Sequence, residues 1–398
     1  MTIGFDGSRT FIGVRTGTEN YSYQLLKALS KVDKKNKYIV YIRSNDINDT
    51  AVTLMDKFPK NFEFRKINWK RFWTQGGLAL RTFKDDLDVL FVPAHTLPIL
   101  RRRGLKTVMT VHDLGVEYLP QFHQLKQQLY LKYITRYQLK SATRLIAVSK
   151  ATKEDLVKRG GINPQKISVI YEGYDKELFK PVSAKGRSSF GRNSLRHYNL
   201  ETGTYFLFVG TVQPRKNLTR LIEAFSRVIL YQAFEAVSPQ AESVRDDKLK
   251  LVIAGLKGWI SDEIYTLPSK LGIQDKVKFL GYVPDKDMPA LYSGAIALTF
   301  PSLFEGFGLP ILEAQAYGCP VITSNVSSMP EVAGKGALYV DPYSLNDIIR
   351  GIREIRPASP AKRGEGIREE LIKAGFENIK RFSWEKCAAQ TLLVFENL

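Results

Sequence analysis

The sequence predicts an α/β chain of two domains, each built on a parallel sheet covered on both faces, and three observations carry that prediction. Its 398 residues exceed what one compact core usually organises, so two domains of about 180 to 200 residues are expected. Short apolar runs alternate with segments long enough for helices, the pattern of parallel strands joined by crossover helices. The stretch Phe300-Pro-Ser-Leu-Phe-Glu-Gly-Phe-Gly-Leu-Pro-Ile-Leu-Glu-Ala314 reads as strand end, glycine turn and helix start. The expected domains are residues 1–180 and 181–380, with a terminal helix over 381–398.

Composition bounds the class. An apolar fraction of 44% with ordinary glycine and proline content describes an ordered, globular chain. The two cysteines, Cys319 and Cys387, form no Cys-x-x-Cys pair, which argues against a disulfide framework or structural zinc and fits a reducing compartment. No signal-peptide pattern opens the chain and no apolar run approaches the roughly 20 residues of a membrane span. A cytoplasmic protein, soluble or peripheral on the inner membrane face, is expected. Residues 1–180 hold 32 Lys and Arg against 17 Asp and Glu, net +15, whereas residues 181–398 hold 27 against 23, net +4. Such asymmetry suits an anionic partner on the first half (nucleic acid, a phosphorylated substrate or anionic lipid) or a scattered solubilising surface.

In the first half, Thr2–Asp6 is the first strand, followed by a loop with Gly13, Thr16 and Gly17 and a helix carrying Tyr21, Leu25, Leu29 and Val32 on one stripe. The strict Gly-x-Gly-x-x-Gly pattern is absent, so a dinucleotide fingerprint is not expected. Further strands are expected at Tyr38–Ile42, Asp88–Val92, Thr107–Val111 and Arg144–Val148. Ligands of parallel sheets bind beyond the carboxyl ends of the strands. His112-Asp113 and His95 follow two of those ends, and the chain has only four histidines. His112 is therefore a candidate functional residue, and His95 and Asp113 are candidate acceptor contacts. On a helix over 122–140, Phe122, Leu125, Leu129, Tyr133 and Tyr137 share one face edged by cations, with Gln138 on the opposite face. That stripe suits either packing on the sheet or a membrane interface, and Arg101-Arg102-Arg103 adds a basic loop.

In the second half, residues 181–203 read as linker and loop. Strands are expected at Tyr205–Gly210, Leu249–Ala254, Val277–Leu280, Ala295–Phe300, Pro320–Thr323 and Ala337–Val340, with a polar, irregular insertion over Tyr231–Asp247. After the first of these comes Thr211-Val-Gln-Pro-Arg-Lys-Asn-Leu218 and then a helix. Arg215 and Lys216 at a strand-to-helix turn make a pyrophosphate clamp, the guanidinium supplying paired donors and the ammonium a point charge. Val283 follows a strand end on the face where a nucleobase could pack.

The Phe300–Ala314 stretch adds carboxylates. Glu305 sits in the loop ahead of the helix and Glu313 about one turn inside it, with Pro310 suited to the first turn. Gly306 and Gly308 permit close approach and positive φ. Backbone N–H groups of Gly306, Phe307, Gly308 and Leu309 are then available to hydroxyl or anionic oxygens.

This Glu-x7-Glu pattern around Gly-Phe-Gly-Leu-Pro, with Pro-Arg-Lys-Asn upstream, resembles the signature of retaining glycosyltransferase family 4. The resemblance covers nearly the whole chain and implies the GT-B fold: two Rossmann-like domains facing a cleft, with a last helix crossing back to the first. It implies that Glu313 holds ribose hydroxyls of a nucleotide diphosphate sugar, that Glu305 lies beside the donor hexose, and that Arg215 and Lys216 neutralise the leaving diphosphate. It places His112 near donor sugar and phosphates and makes Gly17 part of a loop facing the cleft. No cofactor or metal is required on this reading. Gly-Thr-x-x-Pro-Arg-Lys-Asn followed by Ala-Gly-x-Lys-Gly-Trp is most similar to the mannosyltransferase branch that uses GDP-mannose, with UDP-glucose or UDP-N-acetylglucosamine as alternatives. The implied acceptor is a glycan or lipid-linked saccharide of cell-surface polysaccharide assembly, and the basic first domain would face an anionic membrane surface.

Two other classes are weighed. A nucleic-acid-binding protein would show a recognised module in the basic half, and none is found, so nucleic acid is not an expected partner. Epimerases and phosphorylases share the fold, so the fold alone does not decide.

Overall fold

The computed structural model describes the chain except residues 14–15, 45–48, 70, 95, 115–124, 180–191, 236–247 and 357–364. The chain divides into two compact units, Met1–Gly173 with Phe382–Leu398, and Tyr174–Arg381.

The first unit holds seven parallel strands: β1 (Thr2–Asp6), β2 (Lys37–Arg43), β3 (Phe62–Ile67), β4 (Val89–Val92), β5 (Lys106–Val111), β6 (Arg144–Ala147) and β7 (Ile167–Val169). Their order is β3-β2-β1-β4-β5-β6-β7. The central strands are apolar at nearly every position because helices cover both faces; all four residues of β4 are buried. The helix Gly17–Val32 buries Tyr21, Leu25 and Leu29, while Val32 of the expected stripe is exposed. The last helix, Trp384–Glu396, starts at Ser383, whose hydroxyl accepts from the Lys386 N–H at 3.1 Å. It packs here: Phe395 meets Phe91 of β4 with ring centres 5.2 Å apart, and Trp384 meets Tyr21 at 5.8 Å.

The boundary falls before residue 180, and packing explains its position. A Cβ on Gly173 would lie 2.2 Å from the Trp384 nitrogen, so this residue is pressed against the last helix. Beyond it, Phe179 packs edge-on against Tyr317 of the second unit at 5.6 Å.

The second unit holds six parallel strands: β8 (Tyr205–Val209), β9 (Lys250–Ala254), β10 (Val277–Gly281), β11 (Ala297–Phe300), β12 (Val321–Ser324) and β13 (Leu338–Val340). Their order is β10-β9-β8-β11-β12-β13. Two expected irregular stretches are partly helical. Residues Arg192–His197 form a short helix tied down by Ser194, which donates to Asp287 at 2.9 Å, and by buried Leu195. The helix Leu218–Glu235 runs into the expected insertion, whose remainder, 236–247, lies outside the described residues.

Candidate functional site

In a doubly wound sheet the strand order reverses at one place, and the loops leaving the two strands there diverge to opposite faces, opening a crevice at their carboxyl ends. In the second unit that place lies between β8 and β11. The loops that leave them are 210–217 and 301–308, which carry the two motifs.

Several bonds clamp these loops together. The Leu303 N–H donates to the Arg215 carbonyl at 2.9 Å. Asn217, in a left-handed conformation at φ 60°, donates from its amide to the carbonyls of Pro301 (3.0 Å) and Pro342 (2.7 Å). Gly255 lets the loop after β9 touch the first of them, because a Cβ there would lie 1.9 Å from the Gly210 carbonyl oxygen.

The clamp brings Arg215, Lys216 and Glu305 into one ion triad. Arg215 Nη1 donates to Glu305 Oε2 at 2.9 Å and to the Phe304 carbonyl at 3.2 Å, while Lys216 Nζ donates to Glu305 Oε1. The ammonium also lies 5.0 Å from the centre of the Phe300 ring. Glu305 and Lys216 are buried. Burial pushes the Glu305 carboxyl up, but the Lys216 and Arg215 charges and bonds outweigh it and hold it below its ordinary value. Such a triad pays desolvation that an apolar trio would avoid, so stability alone is a weak reason for it. It does hold two cations at the switch point, with a net charge of +1 counted over its three groups.

The turn itself is held by two serines. Ser327 donates to the Glu305 carbonyl at 2.6 Å, and Ser328 donates to the same oxygen at 3.0 Å and to the Phe307 carbonyl at 2.7 Å. Gly306 and Phe307 are buried, Leu309 is half-buried, and Gly308 caps the helix Leu309–Ala316 with φ 107°. A side chain at 308 would be strained.

Glu313 stands apart from the triad. Half-buried, it accepts from the Tyr292 hydroxyl at 2.7 Å. Burial, with the nearby carboxylates Asp285 and Asp175, raises its pKa to about 7 despite that bond. The two glutamates of the motif are thus in opposite electrostatic states: Glu305 is ionised and neutralised by cations, Glu313 is short of donors. Val283 is buried just past β10 and near the Asp285 loop.

In the first unit, His112 is buried at the end of β5. Its Nε2 lies 2.9 Å from the Pro93 carbonyl and its Nδ1 3.4 Å from Glu172 Oε1, and the Tyr21 ring packs on it at 4.7 Å. Burial lowers its pKa, but the bond and charge of Glu172 prevail and raise it above 6.5. Asp113 is half-buried beside it. Gly17 opens the helix Gly17–Val32 and faces open space where a Cβ would stand. The acceptor candidate His95 lies outside the described residues.

Residues that the sequence reading missed are Tyr292, Ser327, Ser328 and Glu172, while Asn217 lies in the Pro-Arg-Lys-Asn motif without a role of its own there. Only Ser328 carries a local signal, as a small polar residue before Met329-Pro330 at a helix start. The chain also holds two Asp-x-Asp pairs, Asp86/Asp88 and Asp285/Asp287. Asp86 pairs with Arg102 at 3.2 Å, Asp88 accepts from the Thr2 N–H at 2.7 Å, and Asp287 accepts from Ser194 and Tyr198.

Two units on parallel sheets, one with paired cations and a carboxylate at its switch point, define a two-domain Rossmann-like protein of the GT-B class. Comparison with known proteins agrees. The family model described as glycosyl transferases group 1 matches residues 193–363, and that described as Glycosyltransferase Family 4 matches residues 15–178. O-antigen chain mannosyltransferase B of Escherichia coli is 30% identical over 320 residues, 80% of this chain and 76% of the relative. O-antigen chain mannosyltransferase RfbU of Salmonella typhimurium is 28% identical over 357 residues, 86% of this chain and 89% of the relative. Among solved structures, sucrose-phosphate synthase from Thermosynechococcus elongatus superposes with a TM-score of 0.73 at 20% identity, covering 100% of this chain and 98% of that one. The chain belongs to glycosyltransferase family 4 and is a glycosyltransferase.

Proposed function

We propose that the protein transfers mannose from GDP-mannose, with retention at the anomeric carbon, to a hydroxyl of a glycan or lipid-linked saccharide in cell-surface polysaccharide synthesis. The observation that carries this reading is the Arg215–Lys216–Glu305 triad at the β8/β11 switch point with Glu313 one turn into the following helix. The mannosyltransferase relatives favour the sugar.

In the proposed reaction the bond from C1 to the donor phosphate oxygen breaks and a bond from C1 to the acceptor oxygen forms on the same face. The acceptor proton passes to the departing diphosphate, which leaves as GDP. Arg215 and Lys216 stabilise the charge that grows on that diphosphate, and they are already oriented by Glu305, so little reorganisation is needed. Glu305 stays ionised beside them and favours positive charge on the sugar ring. It is not a covalent nucleophile. Glu313 offers its carboxylate to the ribose hydroxyls, and the turn at Gly306–Leu309 offers N–H groups to sugar or phosphate oxygens. No metal enters this scheme. The protein would work at the inner face of the cytoplasmic membrane, held there through its basic first unit; among the described residues no helix is long and apolar enough to cross a membrane.

A thermal-shift panel tests the donor: GDP-mannose, UDP-glucose, UDP-N-acetylglucosamine and the free diphosphates, with and without Mg²⁺. A ligand that binds only the folded state raises its melting temperature with occupancy. A selective rise with GDP-mannose, lost in Glu313→Ala, is expected without metal. A selective rise with a uridine nucleotide would overturn the donor, and an NMR spectrum of the product's anomeric proton decides retention.

A further inference from the structure

The first unit carries an unusual outer face. Residues 97–103, leading from β4 to β5, are stitched between the helix Ala79–Lys84, which follows a single π turn at Thr74–Leu78, and the helix Leu125–Ser141. Gln75 donates to the Leu97 carbonyl at 3.0 Å and accepts from the Ile99 N–H at 2.8 Å, and the Arg102 N–H donates to Thr82 at 3.2 Å. On the other side Gln138 donates to the Leu97 carbonyl at 2.9 Å and Arg101 to the Ser141 carbonyl at 2.7 Å. The three segments form one layer whose underside, Trp73, Leu78, Leu97 and Leu139, belongs to the core.

Its upper side is aromatic and aliphatic. Phe72 is 80% exposed, Leu100 and Tyr133 73%, Phe83 57% and Tyr137 52%. In the helix Leu125–Ser141, Tyr133 and Tyr137 are turned outward and Gln138 is buried, the reverse of packing those two tyrosines on the sheet; Phe122 of the expected stripe lies outside the described residues. Phe72 also holds a left-handed backbone, φ 54°, which a bulky residue adopts at a cost. Five exposed large apolar side chains on one hydrogen-bonded layer mark an interaction site.

Charge selects the partner. Residues 69–106 contain eight Lys and Arg and three Asp and Glu, net +5. All three acids are engaged: Asp85 with Arg65, Asp86 with Arg102, Asp88 with the Thr2 N–H. Arg71, Lys84 and Arg103 are exposed. Basic, aromatic-studded faces fit lipid better than protein, since cations with long stems reach headgroup phosphates while the rings enter the interface.

We propose that this face docks on an anionic lipid bilayer, with Phe72, Phe83, Leu100 and Tyr133 entering the headgroup boundary and Arg71, Lys84 and Arg103 meeting lipid phosphates. The proposal rests on the membrane-surface reading above and names the surface that performs it.

The test is flotation of the full chain with phosphatidylcholine vesicles, alone or with about a third phosphatidylglycerol, in low and high salt. The wild type binds the anionic vesicles, weakens with salt, and leaves the neutral ones largely unbound. The triple variant Phe72→Ser, Phe83→Ser, Leu100→Ser partitions at least about tenfold less, with unchanged melting temperature. No binding by the wild type, or equal binding by the triple variant, would overturn the proposal. So would a wild-type dimer in sedimentation velocity that the triple variant dissolves while neither binds vesicles, since the face would then be a self-association surface. A nucleotide thermal shift measured without vesicles separates the two readings: its absence removes the transferase donor and leaves the lipid surface standing.

Discussion

Glu313 titrates within the range in which the protein is handled, and this gives the donor site a distinctive pH dependence. Its folded value of about 7 lies above an ordinary 4.5, a gap that corresponds to about 3.4 kcal/mol. Partial exposure reduces this to roughly 2 kcal/mol. Because the folded value is the higher one, the folded state keeps a proton that the unfolded state has lost. The group's favourable contribution is therefore complete below pH 4.5 and declines as pH rises to 7, above which the ionised carboxylate costs the full amount. Glu313→Gln should raise the melting temperature by a few degrees at pH 8 and have little effect at pH 4.5. A donor whose ribose hydroxyls bond the carboxylate favours its ionised form, so binding expels a proton. If the bound carboxyl returns to its ordinary value, affinity falls about 70-fold between pH 8 and pH 5. Isothermal titration with GDP at pH 7, in two buffers of different ionisation enthalpy, should show about half a proton more released by the wild type than by Glu313→Gln. Equal proton release by the two proteins, or a wild-type affinity that is flat from pH 5 to 8, would refute the reasoning.

Three further outcomes follow from the packing and the charges. Lys216→Met leaves Glu305 short of one partner and should cost about 3 kcal/mol in denaturant unfolding; adding Glu305→Gln should recover most of that stability while turnover stays lost. Gly173→Ala forces a Cβ into the Trp384 backbone, so a destabilisation of at least about 2 kcal/mol is expected, confined to the first unit and visible in hydrogen exchange as loss of protection there but not around β8 and β11. Glu172→Gln removes the main charge that raises the His112 ring's pKa, so its proton NMR titration, one of four histidines, should move to lower pH. The stability that His112 adds below pH 6.5, lost as pH rises through its folded value, should shrink in the same variant.

How much of this was readable from the amino acids depends on whether the interaction is local. In the second sheet the inner four strands, β9, β8, β11 and β12, are apolar because both of their faces are covered, whereas the edge strands β10 and β13 are mostly half-buried; all six stand out as short runs. β3 does not, since Phe62-Glu63-Phe64-Arg65 alternates as an edge strand does, and β7 has only three residues. The switch-point motifs are visible because glycine, proline and charge cluster within each loop. Their joining is not visible: Arg215 and Glu305 are 90 residues apart, and Asn217 reaches Pro342 across 125. The same limit governs Gln138. A helical wheel puts polar residues outside, but Gln138 is buried and donates to the Leu97 carbonyl, which also accepts from Gln75, while Tyr133 and Tyr137 are exposed. The partner that Gln138 meets inside is 41 residues away in sequence, so nothing local marks which face of that helix is covered.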